Sequence, residues 1–131
     1  MARKQSKVWV YSPPKSVRAE VETRAREFID AELKPKHLEP PPKNARFNYL
    51  ADITCKWHGS YFYIVGVFAC PGPHALSPTF ESKLARMLPA GPDRYILAFQ
   101  RHTGQWIDLY HGLSLQQCLE TVRDDPWFMP V

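Results

Sequence analysis

The chain has 131 residues, 44% hydrophobic and 23% charged, with a formal net charge of +4 at neutral pH. A chain of this length makes one domain that buries roughly two-thirds of its unfolded surface, and these fractions exclude disorder as the default state. Its longest apolar run, Tyr61 to Pro71, falls far short of the roughly 20 residues that cross a bilayer.

Residues 1–14 read as a basic N-terminal arm, and residues 15–131 as a single α+β domain. The arm opens Met1-Ala2-Arg3-Lys4-Gln5-Ser6-Lys7, with no apolar segment of the kind a signal peptide needs. Three cysteines, an odd number, do not suggest a secreted disulfide framework. Cytoplasmic placement without a membrane is therefore expected. Val8 to Tyr11 is a short strand or an extended piece, ended by Ser12-Pro13-Pro14. Ser12 is placed to cap the next helix, with Pro13 at its first position.

From Lys15 to Leu33, Val17, Val21, Ala25, Phe28, Ile29 and Leu33 recur at three- and four-residue spacing, the buried stripe of an α-helix. Arg18, Glu22, Arg26 and Asp30 form a ladder of alternating charge on the other side, which reads as a solvated surface. Pro35 is expected to close the helix, and Lys36 to Lys43 to run as a stiff proline-rich connector. Up to Arg46 there are eleven basic residues against six acidic ones; beyond it there are six against seven. The basic surplus thus lies outside the sheet.

Phe47, Tyr49, Ala51, Ile53, Cys55 and Trp57 alternate with Asn48, Leu50, Asp52, Thr54 and Lys56, the period of a strand with one buried face. With His58-Gly59 as a two-residue turn, Cys55 meets Phe62 and Ile53 meets Ile64 on the second strand, Tyr61 to Cys70. Tyr61, Tyr63, Val65 and Val67 then occupy the reverse face beside Lys56, Thr54, Asp52 and Leu50. The second strand is apolar on both sides, so it is central or its reverse face is covered. Phe80 to Leu88 fits helix or strand; the strand is preferred because a Pro-Ala-Gly-Pro-Asp turn follows. Tyr95, Leu97 and Phe99 alternate in a fourth strand, and Trp106 to Tyr110 forms the fifth. A three-residue loop, His102-Thr103-Gly104, aligns Phe99 with Ile107 and Leu97 with Leu109. Ser114 and Gln117 make a capping box for a last helix whose stripe is Leu115, Cys118, Leu119 and Val122, and Asp125-Pro126 stops it. The expected fold is α+β: an antiparallel β-meander of about five strands with an N-terminal and a C-terminal helix.

Two runs, FNYLADITCKWHGSYFYIVGVFACPGPHALSPTFESKLAR and GPDRYILAFQRHTGQWIDLYHGLSLQQCLETVRDDPWF, together resemble a group of short uncharacterised bacterial proteins with a domain of unknown function. That group shares a helix, a Trp/Tyr-rich meander and a closing helix ending in Asp-Pro. The resemblance implies this fold type and no activity.

No residue set forms a catalytic, cofactor-binding or metal-binding signature, so no cofactor is expected. Cys55-x-x-His58 with Cys70-x-x-x-His74 has zinc-like spacing. In the expected register, however, Cys70 lies eight residues past the cross-strand partner of Cys55, about 26 Å away. Cys55, Cys70 and Cys118 read as small hydrophobes. His102, His111 and the Asp124-Asp125 pair make an acid–base group only if distant loops converge, which would reopen the enzyme alternative. The preferred function is a small protein-interaction or accessory module, with a protein partner or a second copy as its occupant, on a face carrying Tyr61, Tyr63, Val65 and Lys56. The alternative is RNA or DNA binding through the basic N-terminal region and the sheet aromatics, with Arg94 and Arg101 as neighbours of the tyrosines.

Overall fold

The structure, a computed structural model, describes residues 11–41, 43 and 46–129. Residues 1–10 of the basic arm, including the expected extended piece from Val8, lie outside that set. The N-terminal helix has three parts: α1 (Lys15–Phe28), a π-helical segment (Ile29–Leu33) and α2 (Lys34–His37). Its start departs from expectation. Pro14 is the capping residue, no side chain caps the end, and Pro13 is buried, so Ser12 does not act as the cap.

Pro35 does not close this helix. A proline lacks the N–H of a helical turn, and its ring crowds the carbonyl four residues back. The π segment widens the turn ahead of it, so that Lys34 N–H bonds to Ile29 O, and Leu38 N–H then reaches Lys34 O at 2.9 Å. The helix runs one turn further than the sequence rule allows.

Five antiparallel strands follow in the order β1-β2-β3-β4-β5: β1 (Tyr49–His58), β2 (Tyr61–Ala69), β3 (Thr79–Gly91), β4 (Arg94–Gln100) and β5 (Trp106–Leu113). Phe80 to Leu88 is strand, as preferred from the turn that follows it. The chain ends in helix α3 (Leu115–Asp124).

The β1–β2 register differs from the expected one by two residues. Gly59 and Ser60 form the loop, with Gly59 at φ +59°, a conformation that glycine adopts without steric cost. Trp57 therefore pairs with Phe62, Cys55 with Ile64 and Ile53 with Gly66, while Ala51 falls at a bulge between Leu50 and Asp52. A shift of two preserves which side chains share a face; only a shift of one would exchange them. At Gly66 an added Cβ would come within 2.9 Å of Leu50 Cδ1 and 3.2 Å of Phe68 Cε1. This position is glycine because its neighbours fill the space.

In the β4–β5 hairpin the loop is His102-Thr103-Gly104, with Gly104 at φ +91° and Phe99 opposite Ile107. The second expected pair is displaced. A bulge at Leu109 brings Leu97 opposite Tyr110. Between β3 and β4 the turn tightens to Pro92-Asp93, and the carboxylate of Asp93 accepts the N–H of Leu115 at 2.9 Å. Ser114 and Gln117 complete both halves of the capping box. That turn and the cap together fix where α3 begins.

Both helices cover the same face of the sheet. Ala25, Ile29 and Leu33 from the first helix meet Leu115, Cys118 and Val122 of α3 over a floor that includes Ile53, Phe62, Ile64, Met87 and Leu97. Arg18 ties α1 to the β1–β2 turn. Its guanidinium lies 4.2 Å over the Trp57 ring and donates to Gly59 O at 2.9 Å, while Trp57 Nε1 donates to Arg18 O at 3.0 Å. The expected charge ladder is thus partly diverted. Arg26 keeps Glu22, but Asp30 pairs with Lys34.

Candidate interaction face

Because strand side chains alternate, burying Phe62 and Ile64 under the helices sends Tyr61, Tyr63 and Val65 to the opposite face. Tyr63 is nevertheless only 6% exposed and Val65 fully buried. Their cover comes from the sheet itself. The Lys83 ammonium sits 4.6 Å over the Tyr63 ring, and the Tyr61 and Trp106 rings flank Tyr63 with centroids 6.0 and 5.9 Å away. Long basic side chains commonly lay their alkyl stems over apolar surface in this way. Arg86 is held between two rings, its guanidinium carbon 4.4 Å from the centroid of Tyr61 and 4.8 Å from that of Trp106.

The cross-strand pairs explain this grouping. Lys56, Tyr63 and Arg86 are directly opposite one another on β1, β2 and β3, and the same row continues to Ala98 and Asp108 on β4 and β5. Val65 pairs with Thr54 on one side and Lys83 on the other. Lys56 meets Glu81 at 2.8 Å, but Arg86 and Asp108 are 3.8 Å apart, too far for a hydrogen bond. Thr54 and Asp52, expected on this face, reach around the β1 edge toward the helix. Thr54 Oγ1 accepts from Arg26 at 3.2 Å, and Asp52 pairs with Lys34 at 3.1 Å.

All four residues of the expected face, Tyr61, Tyr63, Val65 and Lys56, lie together on the side away from the helices. Arg86, Lys83 and Trp106 join them and were not anticipated. Strict alternation from Phe80 would have turned Arg86 inward. A bulge at Leu84, opposite Ile64 and Val65 of β2, accompanies Leu84 and Ala85 both entering the core. Beyond it Arg86 points outward. Two successive apolar residues before Arg86 were the available signal.

The zinc-like spacing does not make a centre. Cys55 is buried on the helix side and His58 is exposed at the turn, while Cys70 lies six residues past the actual partner, Ile64, about 20 Å along the strand. Among the described residues no group of three or more His, Cys, Asp or Glu side chains is placed to hold a metal ion. Burial pushes the Cys55 thiol up to about 11 and the Cys118 thiol to about 12, the opposite of what activates a cysteine.

Nor does His102 join the other loop residues. His102 is at the β4–β5 tip and His111 near the other end of β5, on the order of 20 Å away, while Asp125 accepts a hydrogen bond from Tyr110 at 2.8 Å. An open groove of about 630 Å³ runs beside α3, with Leu113, Pro126 and the exposed Trp127 as its apolar lining and Glu120, Asp124 and Asp125 at its rim. Its carboxylates have partners already. Asp124 is held by Arg123 and Lys36, which keep it below the usual carboxylate range, and Glu120 is held by Gln116.

Fold and face together define a small α+β protein with a five-stranded sheet, one side sealed by helices and the other faced with aromatic and basic side chains. The chain belongs to a family described as a domain of unknown function (DUF3024), whose profile matches residues 13–130. Neither the curated proteins nor the solved structures contain a match to it. No helix among the described residues is long and apolar enough to cross a membrane.

Proposed function

We propose that this chain is a cytoplasmic accessory module that binds another polypeptide through the face bearing Tyr61, Tyr63, Val65, Lys56, Arg86 and Trp106. The observation that carries this reading is Arg86 held between Tyr61 and Trp106 on a face that no described helix covers. Arginine, tyrosine and tryptophan are the side chains that dominate protein–protein contacts, because each joins a large apolar area to a directional polar group. Free thiols at Cys55, Cys70 and Cys118 suit a reducing compartment. Nucleic acid is the weaker reading. A single strand would stack on these rings, but Glu81 and Asp108 on the same face would oppose its phosphates.

Photo-cross-linking tests the proposal. A benzophenone side chain in place of Tyr61 is expected to give an adduct in cell lysate that protease destroys and nuclease leaves intact. The same group at Glu20, exposed on α1, is expected to give none. A nuclease-sensitive adduct, no adduct, or the same adduct from both positions would sink the reading.

A further inference from the structure

Resting on that reading, we infer that the partner presents a carboxylate to Arg86, from an acidic segment whose neighbouring residues are aromatic or apolar. The guanidinium is packed between two rings, and no carboxylate among the described residues comes within hydrogen-bonding distance of it. Its plane is fixed by rings on two sides, and its side chain is 20% exposed. Its nearest carboxylate, Asp108, stops at 3.8 Å. Arg123 provides the contrast within the same molecule. It meets Glu32 at 2.7 Å and Asp124 at 2.8 Å, so its donors are taken up internally.

Lys83 points the same way. It lies over Tyr63 and joins no ion pair among the described residues. Arg86 and Lys83 are three residues apart across the β3 bulge, on adjoining rows of one face. Three cations, Lys56, Lys83 and Arg86, face two carboxylates, Glu81 and Asp108, and only the Lys56–Glu81 pair is within hydrogen-bonding distance. A planar carboxylate fits the guanidinium fork with two parallel bonds. Aromatic or apolar neighbours of that acid would lie on Tyr61 and Trp106.

A second copy of the chain is a poorer occupant. Packing this face on itself would bring the central cluster of Lys56, Lys83 and Arg86 against its own copy, and like charges brought together across an interface disfavour association. The charge balance selects an acidic segment of another protein.

Fluorescence anisotropy of the purified chain with a labelled peptide of sequence Glu-Phe-Glu-Phe-Glu-Phe-Glu tests this. The control is its counterpart with Gln at every Glu. The acidic peptide is expected to bind at least about ten-fold more tightly, the scale of one charge-assisted hydrogen bond. Arg86→Lys keeps the charge and removes the fork. It is expected to lose most of that preference while its urea midpoint stays near wild type. Equal binding of the two peptides, or wild-type binding by Arg86→Lys, would overturn the carboxylate partner. The position-specific cross-link from Tyr61 would still stand in that case, so the broader reading would survive. A labelled oligothymidine that binds more tightly than the acidic peptide and displaces it would overturn both. A dimeric mass at micromolar concentration, abolished by Arg86→Glu, would replace the heterologous partner with a second copy.

Discussion

Strand β2 presents two faces that solve the same problem by different means. On one, Phe62 and Ile64 are fully buried beneath two helices, and burial depends on residues distant in sequence. On the other, Tyr63 and Val65 are almost as buried, yet the side chains around them come from the same sheet. The helix-covered face is held by apolar area removed from water, which is worth about 25 cal/mol per Å². The other is arranged by cations resting on rings, worth about 0.5–1 kcal/mol for each exposed contact. Stability is concentrated on the first face and directional polar groups on the second.

The largest effect expected from this contrast is kinetic. Cys55 and Cys118 lie on the sealed side, and burial raises their thiols to about 11 and about 12. At pH 8 both are protonated in the folded chain, and reagent reaches them only through opening. Cys70 is partly exposed. Ellman's reagent on the native protein should therefore titrate one thiol promptly and the other two slower by roughly 10³-fold or more, the scale set by ordinary global stability. In urea all three should react together. Prompt reaction of all three in the native state would mean that the helices do not seal this side. The sign of the linkage follows from the raised values. The contribution of these thiols is complete below their unfolded pKa, near 8.5, and declines as pH rises from there through about 11 and 12.

A core truncation breaks the comparison from the other direction. Phe62 is fully buried, and its ring lies 5.0 Å from that of Trp57. Phe62→Ala leaves a cavity under α1 and is expected to cost about 3–5 kcal/mol, read from the shift of the urea unfolding midpoint. A loss below about 1 kcal/mol would show that the site collapses without penalty, and that the two faces are less different than their burial suggests.

How much of this was legible depended on whether a feature is local. Strand alternation placed Tyr61, Tyr63 and Val65 together on the reverse face, and the Ser114–Gln117 cap was read correctly because its partners are three residues apart. The β1–β2 register missed by two, since Gly59 takes up the turn with Ser60 rather than with His58. From Asp52 to Trp57 the faces survive that difference because side-chain direction repeats every two residues, but the bulge at Ala51 turns Leu50, expected on the reverse face, against the helix-side core. The rule that proline ends a helix holds for ordinary α-turns, and the π segment ahead of Pro35 escapes it. Arg86 was lost for a related reason. Its outward direction follows from a bulge opposite Ile64 and Val65, and a bulge is set by pairing with another strand rather than by the residues beside it. What covers Tyr63 was equally beyond reach, because Lys83 and Trp106 come from two further strands.

The smallest stability effect is expected where the functional consequence is greatest. Arg86→Met keeps an unbranched apolar stem against Tyr61 and Trp106 and removes only the charge and the donors. At a partly exposed position the two cation–ring contacts sum to little, because water competes for the guanidinium and the Asp108 pair is long. A loss of less than about 1 kcal/mol is expected, well below that of Phe62→Ala in the same urea titration. Tyr61, Tyr63 and Trp106 should keep their packing, so near-ultraviolet circular dichroism should change little. A loss equal to that of Phe62→Ala would make Arg86 a structural support of the sheet. Its exposure to a partner would then be incidental, and the division between a face that holds the fold and a face that offers binding groups would fail at its central residue.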